Sequence, residues 1–171
     1  MSMQDLEKAF ELIEKHQELL KAYKGRIDAK VIRVAQDYLG VSFPLTYKVF
    51  LEKFGFISLG GCEIYGIIDE NFRDSGVPDA IWYSHENYIN YGKPSNIVQI
   101  YSVGEGTTYC LDTSQMNEEG ECPVVAWPLG GYEETPVLEI IAEDFGKFFL
   151  NMVERQIEYK KGSMICSDKH V

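Results

Sequence analysis

The stretch LGVSFPLTYKVFLEKFG, residues 39–55, joins one predicted helix to the next and ends where the sequence pattern changes. Gly40 is predicted to stop the first helix, because glycine adopts the left-handed conformation of a helix C-terminus easily. Pro44 favours the first turn of the second helix, where its missing N–H would be unpaired anyway. After Gly55 the helical spacing of apolar residues gives way to short runs separated by glycines. This stretch therefore divides a helical half from a strand-rich half.

Two helices are predicted before the division. In residues 3–24 the apolar side chains recur at spacings of three, four or seven, which predicts one amphipathic helix that extends the domain at its N-terminus. A second helix is predicted from Asp28, a good N-cap residue, to Leu39.

Several strands are predicted after the division. Residues 56–68 and 97–111 each contain two apolar runs around a glycine-rich turn, which is typical of a β-hairpin. Shorter strands are predicted at residues 121–127 and 137–141. Because the strands follow one another with little helix between them, antiparallel pairing is favoured.

The remaining elements complete an α+β fold with N-terminal helices, a central and mostly antiparallel sheet, and a closing C-terminal helix. A short helix is predicted at residues 78–89 and the closing helix at residues 142–159. Residues 160–171 lack periodicity and are predicted to be a disordered tail. Residues 1–159 are expected to form a single domain.

The negative charge of the chain is concentrated in its middle. The 171 residues contain 16 Lys and Arg and 27 Asp and Glu, a net charge of −11. Residues 54–146 contain two basic and 16 acidic groups, a net of −14, and both flanks are slightly positive. Because phosphate contacts need clustered Lys and Arg, direct binding of nucleic acid is disfavoured.

The sequence predicts a cytoplasmic protein. The N-terminus is charged from Asp5 onward and has no apolar core of the kind found in signal peptides. No stretch approaches the roughly 18 consecutive apolar residues that cross a bilayer, so no membrane contact is expected. The four cysteines form no Cys-x-x-Cys pair and are expected to be reduced thiols.

No convincing catalytic or metal site emerges from the sequence. His85 could form a nucleophilic pair with Cys110 or Cys122, but no motif supports it, and a helix-face histidine beside Trp82 is favoured. The carboxylates of residues 69–79 lack the regular alternation of a calcium loop. The sequence therefore predicts no catalytic residue, metal or cofactor.

Acidic loops remain as the candidate surface. Carboxylates alternate with aromatic rings there, which suits recognition of a basic partner, because charge speeds encounter and rings anchor the complex. A surface that only keeps the chain soluble has the same composition, and the sequence alone favours that simpler interpretation. The predicted partner-binding residues are Asp69, Glu70, Asp74, Asp79, Trp82, Tyr83, Asp112, Glu118, Glu119, Glu121, Tyr132, Glu133 and Glu134. For Trp82 a core position is at least as good an interpretation.

The order of several motifs resembles the SUKH superfamily, which includes yeast cell-wall assembly regulators and many bacterial immunity proteins. The first signature of that superfamily is similar to Leu39-Gly40, Phe43-Pro44, Tyr47, Phe50-Leu51 and Phe54-Gly55. Further matching pieces are Gly60-Gly61, Ile64-Tyr65-Gly66, Gly106, Tyr109, Leu111, Asp112, residues 123–127, Phe145 and residues 148–150. The resemblance covers about residues 25–152.

The resemblance implies an α+β fold and a cytosolic immunity protein without catalysis, similar to YobK-type antitoxins. Such a protein binds and neutralises a cognate secreted toxin, often a nuclease domain of an LXG-type module, by blocking its active site. Two alternatives stay open, a regulatory scaffold with several protein partners and a hydrolase that uses the central carboxylates or His85. The oligomeric state is not indicated.

Overall fold

The structure, a computed structural model, describes residues 2–128 and 138–168. It has the predicted α+β architecture. The helices of the described residues are α1 (Ser2–Lys15), α2 (Ala29–Leu39), α3 (Leu45–Phe54), α4 (Ala80–Tyr91) and α5 (Phe145–Asp168). The strands are β1 (Leu20–Tyr23), β2 (Ile57–Leu59), β3 (Cys62–Ile64), β4 (Ile97–Gly104), β5 (Thr107–Asp112), β6 (Val124–Pro128) and β7 (Ile140–Ala142).

The strands form two antiparallel sheets. One has three strands in the order β1-β2-β3, and the other has four in the order β4-β5-β6-β7. The backbone N–H of Tyr65, just after β3, donates to the carbonyl of Ile100 in β4 at 2.8 Å. The antiparallel pairing is confirmed, but the strands are divided between two sheets that this contact brings together.

The helix predicted over residues 3–24 is wrong beyond Lys15. A 3-10 turn at Gln17–Leu19 follows α1, and the chain then pairs as β1 with β2, with Tyr23 opposite Ile57. Backbone pairing with a distant strand outweighs the local helical pattern of this segment. Helix α1 is also more than an extension, because its apolar face is buried in the core against α5.

The corner between α2 and α3 forms as predicted. Gly40 is left-handed with φ of 70° and closes α2, and its N–H donates back to the helix. The Gln36 side chain then accepts from the N–H of Phe43 at 2.7 Å. Pro44 precedes the first residue of α3 and supplies no side-chain cap. The corner directs α3 into the core.

Aromatic rings fill the core between α3 and α5. Phe50 lies 5.3 Å from Phe145 and 5.2 Å from Phe149, measured between ring centroids. Tyr47 is also fully buried, 5.0 Å from Phe145, and its hydroxyl donates to the carbonyl of Tyr65 at 3.0 Å. This hydrogen bond ties the helical half of the chain to the end of β3.

Helix α5 is longer than the helix predicted at residues 142–159. It continues to Asp168, so the tail predicted from residue 160 is helical that far, and residues 169–171 lie outside the described residues. The Lys160 ammonium lies 2.9 Å from the Glu18 carboxylate, which links this part of α5 to the 3-10 turn before β1. Among the described residues, no helix is long and apolar enough to cross a membrane.

Two glycine backbones touch where the sheet, α3 and α4 meet. A Cβ atom on Gly66 would lie 1.6 Å from the carbonyl oxygen of Gly55. That same oxygen accepts from the N–H of Ile67 at 2.9 Å. Gly66 itself accepts from Ala80 at 2.8 Å and donates to Pro78 at 3.0 Å. Only glycine fits at position 66 without moving this backbone contact.

Replacing Gly66 with alanine is therefore expected to lower the free energy of unfolding by about 3 kcal/mol or more, the upper end of overpacking costs. Gly76 is the control, because a Cβ there meets nothing within 4 Å. Gly76→Ala should change stability by about 0.5 kcal/mol at most. Urea denaturation of both variants measures the difference, and equal effects would contradict the steric argument.

Candidate functional site

Asp79 holds the start of α4 and is not presented to a partner. It is fully buried, and its carboxylate accepts from the N–H groups of Ile81 at 2.9 Å and Trp82 at 3.0 Å. The hydroxyl of Ser75 donates to it at 3.2 Å. Burial raises the pKa of Asp79, although these hydrogen bonds favour the charged form. The expectation of a partner-binding role is corrected here to that of an N-cap.

Asp112 is also engaged within the fold. It is 6 % exposed, and its carboxylate accepts from Ser114, Gln115 and Asn96. Burial opposes ionisation of Asp112, but these hydrogen bonds outweigh it and lower the pKa. Its carboxylate stabilises the turn after β5 and is not free to bind a partner.

Glu121 caps α3 from a distant part of the chain. Its carboxylate accepts from the N–H of Thr46 at 3.0 Å and from the Thr46 hydroxyl at 2.7 Å. The side chain is buried, and burial raises its pKa. Because Pro44 has no side-chain acceptor, α3 needs a cap from elsewhere. This need is the only sequence signal that could have indicated the role of Glu121.

The other predicted surface residues divide by exposure. Trp82 and Tyr83 are half-buried on α4, and the Tyr83 ring packs edge-on against Tyr65 at 5.7 Å. The exposed carboxylates are Asp69, Glu70, Asp74, Glu118 and Glu119. The predicted residues Tyr132, Glu133 and Glu134 lie outside the described residues.

The acidic middle of the chain has even less exposed positive charge than its sequence indicates. Its two basic residues are Arg73 and Lys93, and Lys93 is only 3 % exposed. The Lys93 ammonium donates to the carbonyls of Pro94 and Ile97, and burial lowers its pKa to about 8. Arg73 is thus the one exposed cation in the part of residues 54–146 that the structure describes.

A cleft that the sequence analysis missed opens between the C-terminal ends of α2 and α4. Its volume is about 240 Å³, and its walls include Asp37 and Tyr38 on α2 and His85 and Tyr88 on α4. The Tyr38 hydroxyl lies 3.2 Å from His85 Nδ1, and their ring centroids are 4.7 Å apart. The guanidinium of Arg73 lies 5.8 Å from the Tyr38 ring centroid. The aromatic residues of α4 were the available sequence signal, but the pairing of α4 with α2 that forms the cleft is not visible in the sequence.

The geometry gives no support to a nucleophilic pair of His85 with a thiol. The polar partner of His85 is Tyr38. Burial raises the pKa of Cys110 to about 12 and that of Cys122 to about 12, so neither thiol ionises near neutral pH. Among the described residues, no group of three or more His, Cys, Asp or Glu side chains could hold a metal ion.

The buried cysteines are therefore expected to resist alkylation in the folded protein. Burial also raises the pKa of Cys62 to about 11. Iodoacetamide near neutral pH should leave Cys62, Cys110 and Cys122 unmodified and should label all three after unfolding, as measured by peptide mass spectrometry. Rapid labelling of Cys110 in the native chain, abolished by His85→Ala, would revive the nucleophile hypothesis.

The capping role of Asp79 predicts a pH-dependent effect of substitution. Asp79→Ala should lower the free energy of unfolding by about 1–2 kcal/mol, and Asp79→Asn by less, because Asn still accepts. Since the folded pKa is raised from the ordinary 3.8, the stability that the protonated carboxyl contributes is lost as pH rises through the folded pKa. Asn does not titrate. The stability deficit of Asp79→Asn relative to the unaltered chain should therefore be smaller above the folded pKa of Asp79 than at a pH below the ordinary 3.8. Urea denaturation at the two pH values measures both deficits, and equal deficits would contradict a raised pKa for Asp79.

Comparisons with known proteins agree on the fold. The sequence model of a family described as SUKH_5, SMI1-KNR4 cell-wall, matches residues 6–154. The crystal structure of a protein from Pseudomonas syringae pv. tomato superposes with a TM-score of 0.52 at 20 % identity. That likeness covers 72 % of this chain and 86 % of the other, and it shows the fold alone.

Proposed function

The chain belongs to the SUKH_5, SMI1-KNR4 family, and from this membership we propose that it is an immunity protein that binds and neutralises a cognate secreted toxin. The superfamily includes immunity proteins and is generally non-catalytic. The proposed target is a nuclease domain of an LXG-type module, and the proposed mode of action is to block its active site. The observation that supports this proposal most directly is the negative charge of the exposed surface.

An acidic surface with almost no competing cation suits a nuclease. A nuclease groove is positively charged because it binds the phosphate backbone, so an acidic protein face can occupy the same groove. With Lys93 buried, Arg73 alone offsets the exposed carboxylates of the described middle segment. Such a face also steers encounter with a basic partner.

The exposed carboxylates lie on loops that hold their own shape. The Asn117 side chain accepts from the N–H groups of Glu119 at 2.9 Å and Glu121 at 3.0 Å. Asp69 accepts in the same way from Asn71 at 2.8 Å. Preformed loops lose less conformational entropy on binding, which favours a surface built for recognition. This is the support that the geometry adds to the family membership.

The test is complex formation with the toxin domain encoded next to the gene. Co-expression with that domain should protect growth, and the purified pair should form a stable complex in low salt. Because the attraction is electrostatic, association should slow as ionic strength rises. A toxin domain that neither binds the chain nor is neutralised by it would refute the proposal, and capture of several unrelated proteins would favour the scaffold alternative.

Charge reversal on the two acidic loops should weaken this complex selectively. Glu70→Lys combined with Glu119→Lys is expected to slow association by about tenfold in low salt, because both residues are exposed and their side chains make no hydrogen bond or ion pair to another described residue. Glu7→Lys combined with Glu11→Lys on α1 changes the net charge equally and is the matched control. Stopped-flow or surface plasmon resonance measures both rates. Equal slowing by both pairs would show that net charge alone is responsible.

A further inference from the structure

Strand β1 is the outer strand of the three-stranded sheet, and its far edge is open. The order β1-β2-β3 leaves β1 paired on one side, and within the described residues no other strand borders it. Lys21, Ala22 and Tyr23 are exposed, and only Leu20 is half-buried, so the edge is accessible. An open edge presents unpaired N–H and C=O groups, with which an extended segment of another protein can pair as an added strand.

A shift of register in β1 turns two of its side chains toward one apolar groove. Leu20 and Tyr23 are three residues apart and would face opposite sides of a regular strand. The pairing with β2 shifts between Leu20 and Ala22, and Leu20 and Tyr23 both line a groove of about 230 Å³. Phe10 of α1 and Phe54 of α3 supply further apolar walls. The groove therefore opens beside the edge where a strand would be added.

The segment that forms this edge is positively charged, although the whole chain has a net charge of −11. Residues 20–27 contain Lys21, Lys24 and Arg26 and no acidic residue. All three cations are exposed. Charges on a strand edge act directly on the strand that pairs with it, because facing side chains of neighbouring strands lie close together.

The carboxylates nearest to this segment do not cancel its charge. On the groove wall, Glu14 is offset by Lys53, whose ammonium lies 5.0 Å from the Phe10 ring centroid. Glu18, just before β1, is paired with the Lys160 ammonium at 2.9 Å. The three cations of the β1 segment therefore set the sign of the charge at this edge.

This charge selects among the strands that could be added. A second copy of the chain would bring the same three cations against the edge, and like charges on facing strands are unfavourable. Lysine on an open edge is a device by which proteins avoid self-pairing. An acidic strand would place carboxylates opposite the cations, which favours both encounter and the correct register.

We propose that the open edge of β1 is a docking site for an extended acidic segment of a partner protein, in which carboxylates alternate with apolar side chains. The segment pairs with the main chain of β1 and places its carboxylates near Lys21 and Lys24. One of its apolar side chains enters the groove beside Tyr23. This inference does not rest on the immunity function, because it uses none of the acidic loops and a partner of opposite charge.

The chemistry of the edge is tested on the full chain with synthetic hexapeptides. A peptide that alternates glutamate with valine should bind saturably, shift the ring NMR signals of Tyr23 and slow amide exchange in β1. The ring of Tyr159, exposed on α5, should stay unshifted. A peptide that alternates lysine with valine should bind at least about tenfold more weakly. An acidic peptide that does not bind, or that binds no better than the basic one, overturns the proposal.

Main-chain pairing is tested with two methylated forms of the acidic peptide. In an added strand, only every second N–H group points toward β1. N-methylation of one alternate set of amides should therefore abolish binding, whereas methylation of the other set should keep the affinity within about threefold. Equal effects of the two methylation patterns would show that the peptide does not pair as a strand.

The role of the cations is tested by charge reversal at exposed positions. Lys21→Glu combined with Lys24→Glu should weaken binding of the acidic peptide by about tenfold or more and strengthen binding of the basic one. Arg33→Glu combined with Lys147→Glu is the matched control, because both residues are exposed and neither lines the groove. Urea denaturation midpoints check that both variants fold. Equal weakening by both pairs would show that only net charge matters and would overturn the proposal.

A second copy of the chain is the competing occupant of the edge. Sedimentation should find the unaltered chain monomeric, because its three cations oppose pairing of β1 with β1. A dimer in which the amides of β1 are protected from exchange would assign the edge to a second copy and overturn the proposal. Since no experiment here uses the toxin, its failure leaves the immunity function standing, and failure of the toxin to bind leaves this edge standing.

Discussion

The backbone contact between Gly55 and Gly66 is the constraint on which the rest of the structure depends. Gly55 ends α3, and its carbonyl accepts from Ile67 at 2.9 Å, so the helical half and the first sheet meet there without a side chain between them. Gly66 also bonds Ala80 and Pro78, which fixes where α4 begins. A steric clash at this contact would therefore displace α3, the first sheet and α4 together.

The elements closed by local signals could be predicted from the sequence, whereas those decided by distant pairing could not. Asp28, Gly40 and Gly55 mark their helix ends through their own chemistry, and the structure confirms those ends within a residue. Leu20–Tyr23 carries a helical spacing of apolar residues, and only its pairing with β2 makes it a strand. The two sheets are likewise brought together by a long-range contact that no local signal marks, the hydrogen bond from Tyr65 to Ile100.

The sequence predicts that the candidate surface is acidic, but it does not show which of the carboxylates are exposed. A sequence gives the number of carboxylates but not their hydrogen-bond partners, so Asp79 and Glu121 looked the same as Glu70 and Glu119. The first two cap helices and the latter two are exposed. Conversely, Lys93 is one of the two basic residues counted in the middle of the chain, but its ammonium is buried among main-chain carbonyls.

Charge and aromatic surface contribute to different stages of recognition. Exposed carboxylates act at long range and raise the association rate, an effect that salt screens over about 10 Å. The exposed carboxylates add little to the lifetime of the complex, because solvated charges contribute little binding free energy once contact is made. The residence time of a complex depends on apolar side chains that lose their water on binding, and the exposed ring of Tyr88 is a side chain of the type that can do so. The proposed function would need both contributions, because rapid encounter depends on charge and a long-lived complex depends on apolar groups that lose their water on binding.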